Sequence, residues 1–257
     1  MPERNVLPRA RGSELAHRLR MAARVVDPQA FRLRPGRCPL CGPTCVVKLA
    51  DSDIAVRCAR CGASAITMSL GRVLRAEVPD LANKHVYELS SRGPLFAFLR
   101  RRAGRLMSSE YFDDVPPGES KGGVVCQDVQ RLTFADASFD LCTSTEVFEH
   151  VPDDLSGFRE LRRVLRGGGL FRFTVPLGDA DRTVERARRV DGKLEHLLPP
   201  EYHGDRIRGQ EQVLVFRDYG RDVVERLRAS GFESARIDDR SVRDFWGFGR
   251  PVIVARA

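Results

Sequence analysis

The sequence predicts an α/β protein: a mostly parallel sheet covered on both faces, preceded by a small ribbon built on four cysteines. Three observations lead there. Short apolar runs alternate with helix-periodic stretches across residues 81–257, the pattern of repeated strand–helix units. Two Cys-x-x-Cys-Gly knuckles fall within 38–62. The 257 residues, 42% of them apolar, suffice for one enzyme-sized domain and a smaller unit, at roughly 100–200 residues per domain.

Taken in chain order, residues 1–37 form a basic arm, with nine Arg against Glu3, Glu14 and Asp27. Leu15, Leu19, Ala22 and Val26 recur at helical spacing, which predicts an amphipathic helix over 13–26. Residues 38–70 are the Cys-rich unit. In 71–257, strands are expected at 85–90, 105–110, 122–127, 139–145, 170–176, 233–238 and 251–256. Helices fit at 94–103, 153–166 and 219–230. No stretch reaches the 18 or more apolar residues of a membrane span, and residues 1–12 lack an apolar signal core, so the expected location is cytoplasmic with no membrane partner.

Five of the seven cysteines lie between Cys38 and Cys61, and in a reducing compartment such clustering favours metal over disulfides. Cys38-Pro39-Leu40-Cys41-Gly42 and Cys58-Ala59-Arg60-Cys61-Gly62 each aim two thiolates at one centre, and two such turns complete a tetrahedral zinc site. Strands are expected at 46–49 and 54–57, joined at Asp51-Ser52-Asp53. This segment resembles a zinc ribbon with Cys38, Cys41, Cys58 and Cys61 as ligands. Cys45 breaks the paired pattern and is left out. Zinc here substitutes for a core that the segment is too short to build; contact with a partner or nucleic acid is the alternative role.

Beyond the ribbon, His85-Val86-Tyr87-Glu88-Leu89-Ser90, then Asp128, Phe139-Asp140-Leu141, Glu146-Val147-Phe148-Glu149-His150-Val151-Pro152-Asp153, and the run 158–169 ending in three glycines, together resemble a class I S-adenosylmethionine-dependent methyltransferase of the type 11 kind. The resemblance implies a Rossmann-like seven-stranded sheet whose last two strands make an antiparallel return, with S-adenosylmethionine bound beyond the carboxyl ends of the parallel strands. It implies cofactor contacts at Glu88, Ser90, Gly93, Glu110, Asp128, Val129 and Thr145. Of these, Glu110 would accept from the ribose hydroxyls, Asp128 from the adenine amino group, and Glu88 would orient the loop beside the methionine ammonium. The first loop departs from the family pattern: Ser90, Arg92 and Pro94 stand where alternate glycines are usual, and only Gly93 remains nearby.

For the acceptor, His150 follows the fourth strand, and the run 195–205 concentrates His196, Glu201, Tyr202, His203 and Asp205. His150, His203 and Tyr202 are the candidate catalytic groups. On a helix, Glu146, Glu149 and His150 would share one face and hold a second divalent ion, with His196 or His203 as a further ligand. These features point to O-methylation of a small or glycan-type polar acceptor. Two alternatives stand beside it: an RNA methyltransferase that binds RNA through ribbon and arm, and a non-enzymatic module with a degenerate cofactor loop.

The formal charge of +8, with 43 Lys+Arg against 35 Asp+Glu, does not decide between them. Only four of the cations are Lys, and residues 131–257 hold as many acids as bases. Any polyanion is therefore expected at the arm.

Overall fold

The computed structural model describes residues 26–205 and 210–257. The helix expected over 13–26 lies, except for its last residue, outside the described residues.

Strands β1 (Arg32–Cys38), β2 (Gly42–Lys48) and β3 (Val56–Cys58) form an antiparallel sheet. β1 begins at Arg32, so part of the 1–37 segment joins the ribbon. The second and third strands differ from the expected 46–49 and 54–57 because the turn is longer: Ile54 sits in it, 60% exposed.

Helix α1 (Ala65–Glu77) follows, begun by Ser64, whose hydroxyl accepts from the Thr67 amide at 3.3 Å. The expected helices did not include it. It carries the chain out of the ribbon and across residue 70, burying Ile66, Met68, Leu70, Val73 and Leu74.

The main sheet has the order β16-β17-β9-β8-β4-β5-β7-β6. Its members are β4 (His85–Glu88), β5 (Arg105–Glu110), β6 (Ser120–Lys121), β7 (Val124–Cys126), β8 (Phe139–Thr145), β9 (Leu165–Thr174), β16 (Ser234–Asp238) and β17 (Val252–Arg256). Strands β7, β5, β4, β8 and β9 are parallel, and β17 pairs antiparallel with both β9 and β16. Seven strands answer the expected sheet, and the two-residue β6 extends its edge. The glycine run 167–169 makes an irregularity inside β9 rather than a turn before it: Phe139 pairs with Leu165, then Leu141 with Leu170. Gly168, at φ +74°, adopts the left-handed backbone this needs.

Alternation along the strands feeds two cores. Tyr87, Cys142, Phe171, Phe173, Ile253 and Ala255 face helices α3 (Asp154–Val164) and α4 (Val223–Ala229). Val86, Leu141, Val252 and Val254 face α1 and α2 (Gly93–Arg102). The second core also takes in Cys38, Leu40, Val46, Val56 and Cys58, so the ribbon shares a core with the main sheet. Gly71 makes room for this: a Cβ there would lie 2.5 Å from Leu40 Cδ2. The buried Arg172 on β9 pairs with Glu77 at 3.0 Å, tying α1 to the sheet.

Between β9 and α4 run three small antiparallel pairs: β10 (Val184–Glu185) with β15 (Arg217–Asp218), β11 (Ala187–Val190) with β12 (Lys193–His196), and β13 (Tyr202–Asp205) with β14 (Gln210–Leu214). Among the described residues no helix is long and apolar enough to cross a membrane.

Candidate active site and metal centre

The four expected cysteines converge. Sγ of Cys38 and Cys61 are 3.7 Å apart, and Sγ of Cys41 and Cys58 are 3.5 Å apart. A tetrahedral zinc with ordinary Zn–S bonds spaces its sulfurs about 3.8 Å apart, so the set fits zinc. Backbone amides of Leu40 and Cys61 donate to Sγ of Cys38 and Cys58, each at 3.4 Å. Burial opposes ionisation of Cys58, but backbone donors and the Thr44 hydroxyl outweigh it and bring its pKa to about 6. Cys45 is not in the cluster.

The carboxyl ends of the parallel strands gather the expected cofactor residues. Glu110, ending β5, accepts on Oε1 from the Ser91 amide at 2.6 Å, the Ser91 hydroxyl at 2.9 Å and the Ser90 hydroxyl at 3.2 Å. Ser90, which stands at a glycine position, and its neighbour Ser91 thus anchor the first loop to this carboxylate through one oxygen, and Oε2 takes none of the three donors. Gly93 has φ +87° and opens α2, with Pro94 in its first turn. Glu88 is buried at the end of β4 and accepts from the Thr143 hydroxyl. Burial, with a smaller push from Glu110, raises its pKa to about 8 against the pull of Thr143.

Asp128 follows β7 and closes a turn on Gln130, accepting its amide at 2.9 Å and its side-chain nitrogen at 3.0 Å. Val129 turns into the core beside Gly157. Thr145 ends β8, and its hydroxyl and that of Ser144 are buried without a hydrogen-bond partner. Buried polar atoms of this kind mark places where a ligand supplies the partner, so the edge fits a polar cofactor.

Past β8, the expected trio is corrected. Residues 146–150 are not an α-helix: Glu146 has φ +51°, and only Phe148–His150 forms a 3₁₀ turn. Glu146 therefore leaves the shared face and pairs with Arg250 at 3.2 Å. His203 takes its place, so that ligand atoms of Glu149, His150 and His203 lie within 4.8 Å of one another. Glu149 Oε1 is 3.7 Å from His150 Nε2 and 4.0 Å from His203 Nδ1. Both Glu149 oxygens are buried without a hydrogen-bond partner among the described residues. Burial first, and the charge of Glu146 second, push its carboxyl well up from the usual range. A buried carboxylate beside two imidazoles is a donor set that fits a divalent cation.

The Leu214 carbonyl lies 2.8 Å from His150 Nδ1. A carbonyl only accepts, so Nδ1 carries the proton and Nε2 is the basic nitrogen.

The run 195–205 is divided between two hairpins. His196 is exposed on β12, opposite Ala187, and is not in the cluster. Tyr202 neighbours His203 on β13, so strand alternation sends it to the other face, where it is 46% exposed.

Two residues that sequence reasoning missed, Arg217 and Arg250, brace this region. Arg217 is buried, and its guanidinium donates to the carbonyls of Phe148 at 3.0 Å, Val151 at 2.5 Å and Pro152 at 2.7 Å. It thereby clamps the turn that carries Glu149 and His150. Arg250 joins Glu146 to Asp53 of the ribbon turn, 2.6 Å away, so the ribbon reaches the edge of the site. Each contact spans 65 or more residues of sequence, and no local pattern marks it.

The sheet order and this site define the class: an open, mostly parallel Rossmann-like α/β sheet carrying a four-cysteine ribbon. Residues 105–173, from β5 to β9, match the family model described as a methyltransferase domain. Uncharacterized methyltransferases of Mycobacterium sp. strains JLS and KMS are each 43% identical over 65 residues, which is 24% of this chain and 26% of theirs. The chain thus spans about a quarter of the length of the curated relatives it matches.

Among solved structures, an S-adenosylmethionine-dependent methyltransferase from Mesorhizobium loti is similar over 74% of this chain and 98% of its own, at 19% identity and TM-score 0.47. The 1,6-didemethyltoxoflavin-N1-methyltransferase of Burkholderia thailandensis, with bound 1,6-didemethyltoxoflavin and S-adenosylhomocysteine, is similar over 73% of this chain and 77% of its own, at 17% identity and TM-score 0.44.

Proposed function

We propose that the protein is an S-adenosylmethionine-dependent methyltransferase that methylates a hydroxyl of a small or glycan-type polar acceptor. The observation that carries this is the arrangement at one sheet edge: Glu110 ends β5, Asp128 follows β7, and Glu149 and His150, just past β8, meet His203 of β13.

S-adenosylmethionine supplies an activated methyl group, so the chain has mainly to align donor and acceptor. Glu110 Oε2 would receive the ribose hydroxyls, Asp128 would accept from the adenine amino group, and Thr145 and the loop from Ser90 to Gly93 would border the methionine end. Glu88 lies beneath that loop. A hydroxyl acceptor must also lose its proton. His150 Nε2 takes it, in the tautomer that the Leu214 carbonyl sets. A divalent ion held by Glu149, His150 and His203 would instead acidify the hydroxyl directly. Tyr202, on the opposite face of its strand, has no part in either route.

Titration with Mn²⁺, followed by electron paramagnetic resonance, separates the two routes. One bound Mn²⁺ per chain, lost in Glu149→Gln and in His203→Ala but kept in Tyr202→Phe, supports the ion. No bound Mn²⁺, with methyl transfer lost in His150→Ala, supports the base. Transfer that survives both Glu149→Gln and His150→Ala contradicts the assignment of this group.

A further inference from the structure

A second feature lies on the other edge of the sheet. A cleft of about 440 Å³ opens between the zinc knuckles and helices α1 and α2. Its walls carry Arg37 and Arg60 from the ribbon, Arg75 from α1, and Arg101 and Arg102 from the end of α2. Among the described residues no Asp or Glu lines it. Arg60 donates to the Cys41 carbonyl at 3.1 Å and Arg75 to that of Pro39, which fixes two guanidinium groups at the knuckles without neutralising them. Among the described residues none of the five forms an ion pair with a carboxylate, whereas Arg163, Arg172, Arg217, Arg226 and Arg240 do.

Topology sets this cleft apart from the methyl-transfer edge. α2 leaves the carboxyl end of β4 and returns, so Arg101 and Arg102 stand just before β5, where the Arg105 amide donates to Lys84 beside the start of β4. They are therefore at the amino edge. Two local features favour cations here, and neither accounts for five. The last turn of a helix carries about half a negative charge. Zinc with four thiolates has a net charge of −2, and Cys41 and Cys61 line the cleft. A surplus of roughly two positive charges remains, held on planar groups whose paired N–H donors match phosphate oxygens.

We infer that this cleft binds a ligand with closely spaced phosphate groups, supplied by a nucleic-acid backbone or by a small polyphosphate. The site is independent of the acceptor chemistry proposed above. It adds a polyanion contact at the junction of ribbon and main domain, to which Arg37 of the 1–37 segment contributes.

The test uses the full, zinc-loaded chain and two probes: a fluorescein-labelled 20-nucleotide RNA followed by anisotropy, and inorganic tripolyphosphate followed by calorimetry. Arg101→Gln/Arg102→Gln removes two exposed charges and keeps the helix. Arg37→Gln gives a second variant outside that helix, and zinc content and thermal unfolding check both.

The site is upheld if either probe binds the wild type and binds the double variant about tenfold more weakly, with the RNA salt slope reduced by about 2. RNA binding that tripolyphosphate displaces only at high concentration identifies a backbone ligand. Tight tripolyphosphate binding with weak RNA binding identifies a small one. Failure of both probes to bind at 50 mM salt, or equal binding by wild type and both variants, overturns the inference.

Discussion

At the residue scale, the site holds two carboxyl groups, Glu88 and Glu149, whose charge burial decides first and neighbours second. Glu88 is the clearest case, because its pKa of about 8 compares with an ordinary value of 4.5. Between those two pH values the folded chain keeps a proton that the unfolded chain releases, so stability falls as pH rises. The slope approaches about 1.4 kcal/mol per pH unit. Chemical denaturation of the cofactor-free protein from pH 5 to 8 is expected to show this decline, and Glu88→Gln is expected to flatten it; equal slopes in the two proteins would contradict it.

Arg217 makes a second residue-scale prediction. Besides its three carbonyls it meets Glu185 at 3.2 Å and the buried Asp154 at 3.8 Å. Removing one partner of a buried pair costs about 3–5 kcal/mol. Arg217→Met should show a loss of this size in urea unfolding, whereas a loss under 1 kcal/mol would mean that the clamp on the Phe148–His150 turn is dispensable.

At the scale of elements, much was legible because strands and helices carry local patterns. The runs at 105–110 and 139–145 are strands with those bounds, and 94–103 differs from α2 by one residue at each end. The knuckles could be read because metal-ligand spacing is itself local. What escaped depends on distant contacts. α1 went unplaced because its role, bridging ribbon and sheet, shows only in the shared core. His196 and His203 look equivalent in the run 195–205, yet hairpin pairing exposes one and delivers the other to Glu149. Glu146 fits a helical spacing, yet the left-handed backbone at the end of β8 removes it.

The link from Asp53 through Arg250 to Glu146 gives the element-scale prediction. A double-mutant cycle of Asp53→Asn and Glu146→Gln is expected to show coupling of about 0.5–3 kcal/mol in stability. Additive effects would mean that the ribbon turn touches the site edge without energetic consequence.

At the scale of the molecule, the ribbon and the main sheet are parts of one packed body. Cys38 and Cys58 sit in the same core as Leu141 and Val254, and Arg172 ties α1 to β9. Zinc removal should therefore lower the melting temperature of the whole chain in a single transition, followed by both far-ultraviolet circular dichroism and Trp246 fluorescence. Two separated transitions would show an independently folding ribbon. The charge follows the same architecture: the carboxyl edge gathers carboxylates suited to a cationic sulfonium cofactor, and the amino edge gathers guanidinium groups suited to phosphate.

The most direct test of this reading is calorimetric titration of S-adenosylmethionine and S-adenosylhomocysteine into wild-type protein and Glu110→Ala. The expected result is one cofactor per chain in the wild type and binding at least about tenfold weaker in the variant, as loss of a charged hydrogen-bonding partner implies. Absence of binding to the wild type at high protein concentration, or equal binding by both proteins, would contradict a methyl-transfer site at this sheet edge.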